Sequence, residues 1–321
     1  MPDAVVIGNI IKETIVEGFR VTGPVLGSPA AYSSLAMAAA GCPTGLVSFY
    51  GDDMPEQIRE LGIVDLEGLL PHQHSTTNTL TYAPDGTKTV TFEKKAPDLG
   101  LRHIPAAYLD ARLFHICPMD YEVELDLVEE LMRRGKTTVV DLGGYGGATS
   151  LLRHSIETEI GRETIGRLCA SGAYVKASSE DLGSIFPGFT PEQAADALLA
   201  LGAGMAVFTL GPRGAMYMTG GHNRVIIPGY EPVSRMRDGS LNPTGAGDSF
   251  DGGLVVALCA SGDIDAAVRY GNALASLVIE GPGGCIASRM PSYSQVMERM
   301  GQRPVESGVT AGTRDGKGIA S

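Results

Sequence analysis

The hydrophobic residues of this chain fall into short runs that alternate with longer, helix-like segments. Residues 4–10 are apolar and β-branched, which predicts a buried strand, and residues 44–50 predict a second one. Between them, residues 29–40 follow Gly27-Ser28-Pro29 and precede Gly41, as a capped, buried helix does. The same alternation later predicts strands at 113–117, 137–142, 173–176 and 205–210 and helices at 122–134, 157–171 and 191–201. This order is typical of a doubly wound, mostly parallel α/β sheet flanked by helices.

Two stretches interrupt the alternation. Residues 76–92 contain two threonine-rich alternating runs around Pro84-Asp85-Gly86, which predicts a hairpin, and residues 13–25 alternate weakly. We expect residues 76–92 to be a local antiparallel insertion that forms a small sheet together with residues 13–25. Towards the C-terminus the pattern predicts another hairpin, with strands at 214–218 and 224–228. Three closing helices follow at 248–260, 263–280 and 291–300. The polar, glycine-rich residues 303–321 predict a flexible tail.

Composition narrows the class of protein. The formal net charge of −12 disfavours nucleic-acid binding, and no Lys/Arg cluster offsets it. The N-terminus lacks the features of a secretion signal and no apolar run could span a bilayer, so we expect a cytoplasmic protein without membrane contact. The five cysteines include no C-x-x-C pair, which indicates free thiols. His72 and His74 are spaced as metal ligands can be, although a surface pair is the commoner origin of that spacing.

Residues 242–253 hold the strongest chemical motif, NPTGAGDSFDGG. Gly245, Ala246 and Gly247 allow a sharp turn, and an apolar periodic run follows, so the turn leads into a helix N-terminus. Free amides and the positive end of the helix dipole form an anion site there. Asp248 in the first turn adds a carboxylate that can accept a hydroxyl proton, as phosphoryl transfer requires. The alternative, a turn with a helix-capping aspartate, suits an isolated four-residue match better than one of this length.

The stretch from Asn242 to Val255 resembles the second signature of the PfkB, or ribokinase-like, carbohydrate kinase family. Other segments resemble the same family in the same order, up to residue 302. They are Gly8 and Glu13 in the first-strand motif, Gly27 to Gly41 with Gly51 in the first signature, Gly51-Asp52-Asp53 after the second strand, Thr209-Leu210-Gly211-Pro212-Arg213-Gly214-Ala215 in the nucleotide strand, and Asn272 facing the adenine.

The resemblance implies a ribokinase-like kinase domain at 1–302 with a small β-sheet lid from about 11–25 and 74–93. It implies ATP with Mg²⁺ as donor and a small molecule with a free hydroxyl as acceptor, under a lid that excludes water. A homodimer formed through the lid is a further expectation. The implied catalytic residues are Asp248, Gly245, Ala246 and Gly247, the nucleotide contacts are Thr209, Gly211, Gly214 and Asn272, and the acceptor contacts are Glu13, Gly27, Ser28, Tyr32 and Asp141.

Several positions depart from the family pattern. Asn242 replaces an aspartate whose position in relatives helps a monovalent cation to order the loop, so Asn242 is a weaker ligand for K⁺. Ser178 and Asp181 stand where the family has an N-x-x-E that arranges magnesium through water, and they are equally suited to cap the next helix. Glu13 and Tyr32 replace the usual Asp and Asn, which argues against plain ribose as the acceptor. The structural alternatives are a solvated charge at a strand end for Glu13 and a core aromatic on an Ala-rich helix for Tyr32.

The segment after the middle strand also bears on the acceptor. The chain has Asp141-Leu142-Gly143-Gly144 where many sugar-phosphate kinases have D-x-N-x-R, and the missing Arg argues against a phosphorylated acceptor. The leading hypothesis is a kinase for a hydroxyl of an unphosphorylated sugar, cyclitol or polyol. The alternatives are a nucleoside kinase, in which Tyr32 or another lid aromatic stacks on the base, and a non-catalytic descendant that binds a metabolite or a partner protein. A dinucleotide oxidoreductase is disfavoured because Gly8-Asn9-Ile10 lacks G-x-G-x-x-G.

Overall fold

The computed structural model describes residues 1–83, 88–221, 223–235, 239–281 and 284–302, so the predicted turn at Pro84-Asp85-Gly86 and the predicted tail at 303–321 lie outside it. The strands in chain order are β1 (Ala4–Ile7), β2 (Ile11–Glu17), β3 (Arg20–Gly27), β4 (Thr44–Gly51), β5 (Leu69–His72), β6 (Thr76–Tyr82), β7 (Lys88–Lys94), β8 (Leu113–Ile116), β9 (Thr137–Asp141), β10 (Tyr174–Ser178), β11 (Met205–Thr209), β12 (Ala215–Thr219) and β13 (Val225–Ile227). The helices are α1 (Pro29–Ala39), α2 (Pro55–Ile58), α3 (Leu125–Arg133), α4 (Glu159–Ala170), α5 (Ser179–Ile185), α6 (Pro191–Ala200), α7 (Ala246–Ser261), α8 (Ile264–Val278) and α9 (Tyr293–Met300).

The main sheet has the strand order β13-β12-β11-β10-β9-β8-β1-β4-β5. All neighbours from β5 to β11 pair in parallel, whereas β12 is antiparallel to both β11 and β13. The chain builds outward from β1 in both directions, which is the doubly wound arrangement predicted from the alternation. At such a reversal the carboxyl ends of the parallel strands leave a crevice in which α/β proteins bind ligands.

Both faces of the sheet are covered, which explains the unbroken apolar run at the start of the chain. Along β1, Ala4 and Val6 contribute to one apolar core with α1, α7 and α8. Val5 and Ile7 contribute to a second core with α3, α4 and α6 on the other face. A parallel strand buried on both sides needs apolar residues at every position, so it shows no alternation.

A separate four-stranded sheet has the order β3-β2-β6-β7, and it is made of the two stretches that interrupted the alternation. The hairpins β2–β3 and β6–β7 are antiparallel as expected, but β2 and β6 pair in parallel, with Glu13 beside Asn78. The predicted small sheet is therefore mixed, antiparallel within each hairpin and parallel between the two hairpins. Between these strands the chain passes through α1, β4 and β5, and such a crossover returns it in the same direction.

Some predicted boundaries shift where polar side chains bond to the backbone. The first strand ends at Ile7 rather than at residue 10, because Asn9 accepts from the amide of Phe49 and donates to the carbonyl of Pro97. Helix α3 begins after residue 122, because the Glu122 carboxylate accepts the amides of Met119 and Asp120. In the part of the chain that the structure covers, no helix combines the length and apolar character needed to cross a bilayer.

Candidate active site

The strand ends β9, β10 and β11 bring three predicted site residues to one edge of the main sheet. Asp141, Ser178 and Thr209 are the last residues of these strands. Ser178 lies beside Thr209 in the register, and Asp141 lies beside Lys176. They face a cavity of about 420 Å³, which the small sheet closes from the other side with Glu13, Leu80 and Tyr82, among others. The predicted residues that line this cavity are Glu13, Ser28, Tyr32, Asp141, Ser178, Asp181, Thr209, Gly211, Gly245, Gly247 and Asp248.

A second cavity of about 570 Å³ adjoins the first and is walled by α7, α8 and the segments that precede β12 and follow β13. The predicted nucleotide residues line it, since Thr209, Gly211, Gly214 and Asn272 all belong to its wall. The two cavities share four lining residues, Thr209, Gly211, Pro243 and Gly247. They therefore meet at the start of α7, beside the glycine-rich loop.

The start of α7 has the geometry that the motif predicts. Gly245 is the N-cap residue with a φ of 77°, a left-handed conformation that favours glycine. The amide of Ala246 donates to the carbonyl of Pro243 at 3.1 Å and closes the turn. The amides of the next residues belong to the first turn of α7, where backbone N–H groups have no partner within the helix. Asp248 lies in the first turn and lines the first cavity, and its backbone carbonyl accepts the Ser33 hydroxyl at 2.8 Å. Because Ser33 belongs to α1, this hydrogen bond fixes the backbone that carries the Asp248 carboxylate.

The ring of Tyr32 packs against Gly245 in this loop. Tyr32 is only 3% exposed, and a Cβ atom built on Gly245 would overlap its ring. Burial raises the pKa of the Tyr32 hydroxyl well above its ordinary value, so this hydroxyl stays protonated. With so little of its ring exposed, Tyr32 offers little surface to an incoming base, and Tyr82 is the other aromatic residue in the described lining of the first cavity.

Replacing Gly245 with Ala is expected to lower the free energy of unfolding by about 2 kcal/mol or more, because the new methyl group meets both a left-handed backbone and the Tyr32 ring. Gly247→Ala is the matched control. Its Cβ would lie 3.6 Å from Lys176 Nζ, an ordinary contact, so this variant should keep or gain stability by up to about 1 kcal/mol. Urea unfolding of both variants measures the difference, and equal stabilities would contradict the packing described.

Lys176 lines the first cavity, and no sequence motif singled it out. It is 3% exposed, and its Nζ lies 3.4 Å from Asp141 Oδ2 and 3.3 Å from Asp251 Oδ2. Burial lowers the pKa of Lys176, but the two carboxylates outweigh burial and hold the pKa above its ordinary value. Burial raises the pKa of Asp251 well above its ordinary value, and Lys176 opposes that shift. The one available signal was a charged residue inside the buried strand YVKAS, where a lysine requires partners.

The lining of the first cavity includes two further constrained residues, Ser28 and Glu13. Ser28 has a φ of 105°, which is rare outside glycine, and its hydroxyl caps α1 by accepting the amide of Ala31. Such strained residues are concentrated at functional sites. Glu13 is 4% exposed and lines the first cavity. Gly27 lines neither cavity, and a Cβ at this position would lie 2.8 Å from Glu13 Oε1, so Gly27 makes room for that carboxylate.

The residues predicted to hold ions have structural partners. Ser178 and Asp181 form a capping box at α5, and the second carboxylate oxygen of Asp181 accepts the amide of Ala148 at 2.8 Å. The capping alternative is therefore realised, although both residues still line the first cavity. Asn242 lines neither cavity, and its side-chain oxygen accepts the amide of Thr244 at 3.2 Å. Asn272 donates to the carbonyls of Ile227 and Pro228 and so fixes the wall of the second cavity.

Comparison with known proteins identifies this arrangement. Residues 27–291 match the pfkB family of carbohydrate kinases. A cytidine kinase from Thermococcus kodakarensis is 29% identical over 278 residues, which cover 84% of this chain and 94% of that enzyme. Ribokinase from Arabidopsis thaliana, solved with ribose and ATP, has a TM-score of 0.74 at 18% identity, with coverage of 94% of this chain and 99% of the other.

A second solved structure has the same fold with another donor. It is a pyrophosphate-dependent kinase of the ribokinase family, complexed with a pyrophosphate analogue and myo-inositol. Its TM-score is 0.72 at 16% identity, and the match covers 89% of this chain and 98% of the other. These likenesses show the ribokinase fold, with its large mostly parallel sheet and its separate small one. With the sequence match over residues 27–291, they establish that the chain belongs to the pfkB family of carbohydrate kinases.

Proposed function

We propose that the protein transfers the γ-phosphoryl group of ATP to a hydroxyl of an unphosphorylated sugar, cyclitol or polyol. The observation that carries this proposal is the meeting of two cavities at the start of α7, with Asp248 facing one of them. A donor in the larger cavity and an acceptor in the smaller one would bring their reacting atoms together beside that carboxylate. Proximity of this kind is a large part of what a kinase supplies.

Asp248 is the base in this proposal. As the acceptor oxygen attacks the γ-phosphorus, the hydroxyl proton passes to the Asp248 carboxylate and the bond to the β-phosphate oxygen breaks, which releases ADP. The amides and the positive dipole end at the start of α7 stabilise the charge on the transferred group. Mg²⁺ on the phosphate oxygens of ATP would neutralise further charge, and Ser178 and Asp181, which line the first cavity, would hold it through water.

The charge of the first cavity supports a neutral acceptor. Glu13, Asp141 and Asp248 contribute carboxylates, and Lys176 is the one basic residue among the described residues of its lining. That lysine is already paired with Asp141 and Asp251. A phosphorylated acceptor would add negative charge with no guanidinium to receive it, whereas hydroxyl groups can donate hydrogen bonds to the carboxylates.

A nucleoside acceptor is the second candidate. The identity to a cytidine kinase along 94% of that enzyme favours it, and the lid side of the first cavity offers Leu80, Tyr82 and Met119 as an apolar surface for a base. This candidate uses the same base, the same anion site and the same donor. The two candidates differ only in the acceptor that the small sheet covers, a nucleoside or an unphosphorylated sugar, cyclitol or polyol.

A substrate panel tests the proposal. Pentoses, hexoses, inositols and nucleosides are each offered with ATP or with pyrophosphate, and thermal shift is measured together with release of ADP or phosphate. We expect ATP, and not pyrophosphate, to support turnover, since the second cavity has room for a base. Turnover of nucleosides alone would replace the first candidate with the second. If no compound gives both stabilisation and turnover, both substrate assignments are wrong.

A further inference from the structure

Arg289 lies between α8 and α9 and is a buried cation that none of the steps above uses. It is 8% exposed. Its Nε donates to the carbonyl of Val278 at 3.0 Å, its Nη1 to the carbonyl of Gly284 at 3.4 Å, and its Nη2 to the carbonyl of Asn242 at 2.9 Å. The three carbonyls belong to two separate parts of the chain: Val278 and Gly284 lie at and after the end of α8, and Asn242 lies in the loop that leads into α7. One guanidinium therefore joins them.

Three carbonyl oxygens that converge on one point favour a positive group at their centre. Val278 is the last residue of α8, where the helix dipole is negative, and backbone carbonyl oxygens are the ligands that replace water around K⁺ in proteins. An arginine supplies the same charge permanently, with five donors in a rigid plane. The amide of Asn242 also donates to the carbonyl of Ile279 at 2.8 Å, so the loop is held to the end of α8 on two sides.

Arg289 reaches the catalytic loop by a second route. Its guanidinium also interacts electrostatically with Tyr32, whose ring packs against Gly245. Both ends of the segment from Asn242 to Gly245 are therefore positioned by one side chain. Since that segment precedes the amides that would bind phosphate, its position decides where the donor phosphates lie.

We propose that Arg289 acts as a built-in cation for the loop that enters α7, so that this kinase, on the function proposed above, needs no monovalent metal ion. The K⁺ expected at Asn242 does not fit this site. The Asn242 carbonyl already accepts from Arg289, its side-chain oxygen accepts from Thr244, and a second cation beside the guanidinium would be repelled. Arg289 is a positioning residue, because it contacts the loop and not the reacting atoms.

Cation exchange tests this inference. The affinity of Mg²⁺ with a non-hydrolysable ATP analogue is measured calorimetrically in KCl, NaCl and tetramethylammonium chloride at equal ionic strength. The unmodified protein should bind equally, within about twofold, in all three salts. Arg289→Met should bind roughly tenfold more weakly in tetramethylammonium. K⁺ or guanidinium at millimolar concentration should restore part of that loss, because either can enter the vacated carbonyl cluster.

Arg299→Met is the matched control. Arg299 is also buried, at 4% exposure, but it pairs with Glu280 and Ser276 and does not contact the loop. It should lose stability without becoming responsive to K⁺. Melting temperatures in the same salts give a readout that needs no nucleotide, and K⁺ should raise that of Arg289→Met alone.

Failure of the Arg289 proposal and failure of the proposed kinase function give different results. A gain of tenfold affinity, or a clear rise in melting temperature, when K⁺ is added to the unmodified protein would overturn the role of Arg289 and leave the kinase proposal standing. Failure of the unmodified protein to bind the ATP analogue in every salt would overturn the proposed function. The melting temperatures of Arg289→Met and Arg299→Met would then still decide whether Arg289 replaces a cation.

Discussion

Asp248→Asn is expected to lower kcat by about 10²- to 10⁴-fold while the affinity for ATP changes little. The amide has nearly the same shape as the carboxylate but cannot take the proton of the acceptor hydroxyl. The backbone at this position is held by the Ser33 hydroxyl and by the first turn of α7, so the substitution leaves the loop geometry intact. Asp248 faces the smaller cavity and is absent from the wall of the larger one, which separates its effect on transfer from donor binding.

Steady-state kinetics with the best acceptor of the panel, and calorimetry with the ATP analogue, measure these two quantities. Glu180→Gln is the control, since Glu180 is an exposed acid on the lining of the same cavity. It removes one negative charge without removing the base, and a loss of less than about tenfold is expected. If Asp248→Asn turns over substrate at the unmodified rate, Asp248 is not the base.

The glycine-rich loop was predictable because everything it needs is contiguous. The turn, the helix that follows and the carboxylate in its first turn lie within residues 242–253, and local sequence determines local backbone. The main sheet was predictable for a similar reason, since each buried strand is a short apolar run and each helix carries its own period. The edge strand β5 was missed because it is four residues long and contains a proline, LLPH.

Contacts between distant segments were not predictable from one sequence. Lys176 meets Asp141 because of the register between β9 and β10, across 35 residues of sequence. Arg289 meets Asn242 across 47 residues, through the packing of α8 against α7. In the same way, Tyr32 could be interpreted as a stacking platform or as a core aromatic until the position of Gly245 against its ring was known. The sequence therefore identifies the reaction better than it identifies the residues that hold the site together.

Lys176→Met is expected to lower the free energy of unfolding by about 3–5 kcal/mol, the largest effect on stability that we predict. The methionine can fill much of the space, but it leaves the carboxylates of Asp141 and Asp251 buried without a positive charge between them. Of the two carboxylates, that of Asp251 depends more on the positive charge of Lys176 to offset the cost of its burial. Asp251 is fully buried, and among the described residues neither of its oxygens accepts a well-directed hydrogen bond, so the ion pair at 3.3 Å is its main compensation.

The double variant Lys176→Met/Asp251→Asn distinguishes an uncompensated charge from a simple packing defect. If the loss comes from a charge left alone, removing Asp251 as well should restore at least about 1 kcal/mol, and the two effects will not add. Equal or greater loss in the double variant would show that the ion pair is not the cause. Unfolding in urea, with an unchanged dependence on denaturant, gives these energies. In the double variant Asp141 still lacks its ion pair with Lys176, which in the unmodified protein holds Asp141 at the wall of the first cavity. We therefore expect the double variant to regain stability but to bind the acceptor more weakly.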